Sequence, residues 1–218
     1  MALSRRVNDR QGEGAGVTGD DAHRRDFEAL LRDIRACRNC AAHLPLGPRP
    51  IVQAARSARL LIIGQAPGTR VHETGVPWND PSGERLRDWI ALDQAAFYDP
   101  ARVALMPMGF CYPGRASGGG DSPPRPECAP LWHDKLRREL AHVRLTLLVG
   151  QHAQKAYLTQ RGVAMTEAVR NYAAAPDGFI PLPHPSWRST GWMRRNPWFE
   201  EDVLPDLRTG VRALLKST

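Results

Sequence analysis

Residues 59–68 read RLLIIGQAPG, and the fold turns on this stretch. Four consecutive apolar residues, Leu60 to Ile63, are too few for a helix and lack the alternation of a half-buried strand. A short unbroken apolar run that stops at glycine is the mark of a strand covered on both faces, as in parallel sheets. The pattern returns at 145–149 before Gly150, and more briefly at 103–106 and 179–182. Amphipathic segments lie between these runs: 22–36, 82–92, 128–141 and 151–160, with a last one over about 199–215. Strands alternating with helices predict an α/β fold, a three-layer α/β/α sandwich around a central four-stranded parallel sheet. Pro205 inside the last segment predicts a kink or a later helix start.

Outward from this centre the chain thins. Residues 1–21 are rich in Gly, Arg and Asp without hydrophobic periodicity, and are read as a flexible tail, with Asp20 and Asp21 as caps of the first helix. Residues 22–218 form one domain, long enough for a single core. No apolar run reaches membrane-spanning length and the N-terminus shows no signal-peptide pattern, so a cytoplasmic monomer is expected. The net charge is +7, carried almost wholly by arginine, since Lys135, Lys155 and Lys216 are the only lysines. That balance suits a polyanionic partner such as nucleic acid, and equally suits solubility alone.

In parallel sheets ligands bind beyond the carboxyl ends of the strands. Three such ends carry unusual chemistry: the turn GQAPG at 64–68, the segment 106–111, and HPSWR at 184–188. In the first, Gly and Pro allow a tight turn whose N–H groups can face a ligand, although turns of this kind follow strands in many folds. In the third, Pro183 and Pro185 stiffen the backbone around His184, while a serine, a tryptophan and an arginine follow directly. Four cysteines run C-x2-C-x70-C-x16-C at Cys37, Cys40, Cys111 and Cys128. In a reducing compartment these suit metal ligands, catalytic groups or small core residues better than disulfides.

These elements together resemble the uracil-DNA glycosylase superfamily, nearest its family 4 iron–sulfur type, over roughly residues 35–215. GQAPG stands as a variant of the family's first motif and is followed, as there, by Thr74-Gly75 and then Pro77-Trp78; His184-Pro185-Ser186-Trp187 matches the second motif. The resemblance implies a monofunctional DNA-repair enzyme that hydrolyses the N-glycosidic bond of uracil, in single- or double-stranded DNA, and leaves an abasic site. It implies a 4Fe–4S cluster on Cys37, Cys40, Cys111 and Cys128, for which a structural zinc is the alternative. Trp78 takes the place of the aromatic that stacks on the flipped base, with an ordinary core tryptophan as the alternative. His184 takes that of the histidine that donates to uracil O2, helped by backbone N–H groups near Gln65 and Ala66 in a turn closed by Gly68. Ser186, Trp187 and Arg188 fit a DNA-probing loop.

Two departures matter. The aspartate that orients water in the most active branch of the superfamily is replaced by Ala66. Asp80 is therefore the expected water-positioning or cation-stabilising carboxylate, with helix N-cap as its competing role, and His72 and Glu73 are further candidates. The family 4 asparagine that reads the uracil edge has no counterpart in residues 105–111, which leaves Asn79 or a backbone group for that task. The missing amide motivates a second reading, excision of another deaminated base such as hypoxanthine or xanthine. The missing aspartate motivates a third, a non-catalytic lesion binder.

Overall fold

The computed structural model describes residues 17–158 and 163–216. Strands β1 (Leu60–Ile63), β2 (Val103–Leu105), β3 (Leu145–Val149) and β4 (Phe179–Leu182) form one sheet in the order β2-β1-β3-β4. All neighbours are parallel, with Leu60 opposite both Val103 and Leu145, and Thr146 opposite Phe179. Every residue of β1, β2 and β3 is buried, Thr146 of β3 included, as strands covered on both faces require.

Alternate side chains of each strand enter opposite layers. Leu60, Ile62, Val103, Leu105 and Leu147 face one core, with Leu86, Trp89 and Ile90 of α3 (Pro81–Ile90), Phe97 of α4 (Gln94–Tyr98) and Leu207 and Val211 of α9 (Leu204–Lys216). Leu61, Ile63, Ala104 and Leu148 face the other, with Phe27, Leu31 and Ile34 of α1 (Val17–Ala36), Leu136 of α5 (Cys128–Glu139) and Ala153 of α6 (Gln151–Tyr157). The result is the expected three-layer α/β/α sandwich on a four-stranded parallel sheet.

Several boundaries differ from the sequence reading. Helix α1 begins at Val17, so residues 17–21 of the expected tail are helical and Asp20 and Asp21 lie inside the helix rather than before it. Acidic residues are favourable anywhere in a first turn, so their presence does not fix where a helix starts. Residues 1–16 of that tail lie outside the described residues. Helix α3 stops at Ile90, where Ala91 turns left-handed at φ 51°, and α5 stops at Glu139. The segment after β4, read as a proline-rich loop, contains α8 (Ser189–Arg195). The short helices α2 (Thr69–Thr74) and α7 (Met165–Arg170) span too few residues to show a period. Pro205 occupies the first turn of α9, which follows a π-helical turn at Phe199–Val203. A missing N–H costs nothing there. Among the described residues no helix is long and apolar enough to cross a membrane.

The chain passes from β1 outward to β2, then returns across β1 to β3. This reversal opens a crevice beyond the carboxyl ends of β1 and β3, the place where open α/β sheets hold ligands.

Candidate functional site

A cleft of about 540 Å³ occupies that crevice. Gln65, Ala66 and Gly68 enter from the end of β1, Pro107 from the end of β2, and His184, Ser186, Trp187 and Arg188 from the end of β4. Trp78 and Asp80 come from the α2–α3 connection, and Arg115 and Asp121 from the long loop after Cys111. The three strand-end segments singled out in the sequence thus converge. Asn79 is half-buried beside the cleft but not among its lining residues. His72 is buried against Tyr112, ring centroids 6.1 Å apart, and Glu73 is exposed; neither lines the cleft.

Trp78 is held in an unusual way. Its φ is 56°, in the left-handed region that bulky residues avoid and occupy only where surroundings over-determine them. Two glycines supply the room. A Cβ on Gly64 would lie 2.6 Å from Trp78 Cζ2, and one on Gly83 would collide with the Trp78 backbone. Arg87 Nη1 donates to the Trp78 carbonyl at 3.3 Å and to the Tyr98 hydroxyl at 3.4 Å. The indole is thereby fixed against the end of β1, facing His184 at 6.0 Å between ring centroids and 30° between planes.

His184 is positioned from below and behind. The backbone at Gly150, φ +85°, leaves His184 Cβ only 3.4 Å from where a side chain would begin. The Ser189 hydroxyl donates to the His184 carbonyl, and Arg85 Nη1 donates to the Ser186 carbonyl at 2.8 Å, tying the HPSWR loop to α8 and α3. Burial lowers the His184 pKa below the ordinary imidazole value; the charge of Asp80 opposes this and His152 adds to it. The ring is neutral near pH 7 and carries one N–H donor.

The turn at 64–68 is tied to the long loop by Gln65, whose side-chain amide donates to the Ser122 carbonyl at 3.4 Å. Among the described residues the N–H groups of Gln65 and Ala66 have no protein acceptor. Asp80 is the N-cap of α3, its Oδ1 accepting from Gly83 N–H at 2.8 Å, and it faces the cleft as well. The cap role considered for it from the sequence is thus seen, and the same carboxylate lines the cleft. Asp121 was not singled out. Its pKa is raised, first by burial of the carboxyl and then by Asp80, against the pull of Arg115 and Arg188. An Asp in a Gly-rich loop (GGGD, 118–121) between two cysteines was the available signal. Trp187 is 76% exposed at the mouth of the cleft, with the Arg188 guanidinium 5.5 Å above its ring.

A second enclosure lies on the other face of the long loop. All four cysteines line it, with Ile34, Phe110 and Trp132 among the apolar walls. Cys37 and Cys40 follow α1, Cys111 follows β2, and Cys128 opens α5; none forms a disulfide. Phe110 N–H donates to Cys128 Sγ at 3.3 Å and the Arg49 N–H to Cys111, while the Cys40 thiol points to Glu127 at 3.9 Å. Burial pushes Cys111 up to about 11 and Cys128 up to about 12, so both stay protonated at neutral pH without a cation. Among the described residues no three His, Cys, Asp or Glu side chains are grouped to hold a single metal ion.

The sheet reversal, the facing rings of Trp78 and His184 and the glycine turn together border one strand-end cleft of an α/β protein. The family model described as Uracil DNA glycosylase superfamily matches residues 52–208, a span that contains every cleft residue named above, together with Cys111 and Cys128. The chain belongs to the uracil DNA glycosylase superfamily.

Proposed function

We propose that the protein is a monofunctional uracil-DNA glycosylase of the family 4 type, working as a monomer. The observation that carries this reading is the pairing of Trp78 with a neutral His184 in the cleft that Gln65 and Ala66, with their unpaired N–H groups, also line. Breaking the C1′–N1 bond leaves negative charge on the base and positive charge on the sugar. A flipped uracil stacks on Trp78, which grips without selecting. His184 N–H and the turn's N–H groups then meet the charge that grows on the departing base, as preorganised donors should. The Asp80 carboxylate, fixed by its cap bond, stabilises the sugar cation. Trp187 suits the space left by an extruded nucleotide, and Arg188 a phosphate.

Strand cleavage by the enzyme would need an amine nucleophile. Lys135 lies on α5 over Trp132, Lys155 on α6 and Lys216 at the end of α9; none lines the cleft. Water is therefore the nucleophile, and the strand stays intact.

The four-thiol enclosure suits four-cysteine ligation of an iron–sulfur cluster, the group that the resemblance to family 4 favours, with structural zinc as the alternative. Cys37, Cys40, Cys111 and Cys128 would hold it, with the Phe110 and Arg49 N–H groups supporting the thiolates. When bound, the group joins the end of α1, the long loop and α5. Protein purified anaerobically should be brown and contain iron; stoichiometric zinc without iron would refute the assignment.

A second reading keeps a specific motive. The base-reading amide is absent from the end of β2, where Pro107 lines the cleft and its carbonyl accepts from His133 at 3.1 Å. Excision from oligonucleotides carrying uracil, hypoxanthine, xanthine or thymine tests both. Release of uracil well above the others supports the proposal; preference for a deaminated purine supports the second reading; release of none supports a lesion binder.

A further inference from the structure

We propose that Asp121 is the carboxylate that takes the proton from the attacking water; this rests on the excision reading of the same cleft. Asp80 and Asp121 are the only carboxylates lining the cleft among the described residues. They are not equivalent. Asp80 has one oxygen committed to the N-terminus of α3. Asp121 has no ion pair and no side-chain hydrogen bond among the described residues. Its Oδ2 lies over the turn of the first motif, where a Cβ on Gly68 would come within 3.3 Å of it. A side chain at 68 would make a tight contact that the carboxylate could meet only by giving way by a few tenths of an ångström.

The backbone that carries Asp121 is fixed. Arg115 and Asp121 form an antiparallel bridge, Ala116 N–H donates to Gly120 at 3.0 Å, and Ser122 N–H to Gly114 at 2.8 Å. Gln65 then ties Ser122 to the first-motif turn. On the far side, Arg188 packs against Gly119 and Gly120, both left-handed at φ 81° and 85°. The hairpin so reaches from the β1 turn to the HPSWR loop, and Asp121, one half of its bridge, lines the cleft.

The division of labour follows from charge. Asp80, with one oxygen held by the helix cap, supports the sugar cation. Asp121 is exposed at the cleft, with Asp80, Arg115 and Arg188 around it, and partial desolvation of its carboxyl raises its proton affinity above that of an ordinary aspartate, which suits a base. As the C1′–N1 bond breaks, its electron pair leaves with uracil N1. The water oxygen forms the bond to C1′, and one water proton passes to Asp121 Oδ2. Asp121 then returns that proton to solvent, and the uracil anion takes one up, so the sum is uridine site plus water giving abasic site plus uracil.

The test is single-turnover excision from a uracil oligonucleotide by wild type, Asp121→Asn and Asp121→Ala. Both variants should lose roughly 10²-fold or more, with unchanged DNA affinity and melting temperature. Formate should restore part of the Asp121→Ala rate, which a structural role would not allow. The acid limb of the wild-type rate profile should vanish in Asp121→Asn. Wild-type excision with Asp121→Asn within threefold of it overturns the role of Asp121 alone, as does loss of activity that tracks loss of folding with no rescue by formate. Absence of any excision by wild type overturns the proposed function and this role together.

Discussion

At the scale of single residues, His184 and Asp80 are held by different means, and substitutions test the roles proposed for them. In the proposed mechanism His184 acts through one N–H donor. Replacing it by alanine should slow single-turnover excision roughly 10²-fold or more, the scale for losing one oxyanion-type donor. DNA affinity measured by anisotropy should persist, because phosphate contacts supply most of it. Asp80 has a structural and an electrostatic duty in one side chain. Asp80→Ala should cost about 1 kcal/mol of stability through the lost cap, read by denaturant melts. Asp80→Asn keeps a capping oxygen, so its stability should hold while excision falls roughly tenfold or more. Retained activity in Asp80→Asn would leave the residue as a cap only. His184 and Trp78 were legible in the sequence because prolines and a short motif announce them. Asp121 was not, since only the tertiary path of its loop brings it over Gly68.

At the scale of elements, α5 and α6 meet the end of β2 through one buried histidine. His133 is 3% exposed, with Nδ1 2.6 Å from the Tyr157 hydroxyl and Nε2 3.1 Å from the Pro107 carbonyl. Burial lowers its pKa from 6.5 to about 4. The neutral ring has one arrangement that satisfies both partners: Nε2–H donates to Pro107, and Nδ1 accepts from Tyr157. The unfolded chain binds a proton at this site from about pH 6.5 downward and the folded protein does not until about pH 4, so stability falls as pH drops through that window. The loss amounts to about 3 kcal/mol at most. Melts from pH 7 to 4 should show a shallower decline in His133→Gln than in wild type, the contributions of His152 and His184 being common to both. Parallel slopes would refute this. The strands were legible as elements because burial on both faces leaves an unbroken apolar run. The short helices α2, α4, α7 and α8 were not, because they owe their form to neighbours more than to their own periodicity.

For the molecule as a whole, the sandwich was readable from the alternation of strands and helices, and the cleft from the rule that ligands sit beyond strand ends. What composition could not supply was the arrangement of the long loop, which faces the cleft on one side and the cysteines on the other. The placement of the three lysines leads to a test of the intact enzyme. Borohydride added during turnover should trap no protein–DNA adduct, and strands should break only after alkali. A trapped adduct would show an amine in the cleft. The sheet order has a consequence for synthesis. β1 pairs with β3, not only with its nearer neighbour β2, and the histidine arrives with β4, the last strand. Pairings this distant form late and slowly. A nascent chain leaving the ribosome therefore carries Trp78 long before the imidazole that faces it, and cannot complete the cleft until almost all of its sheet has been made.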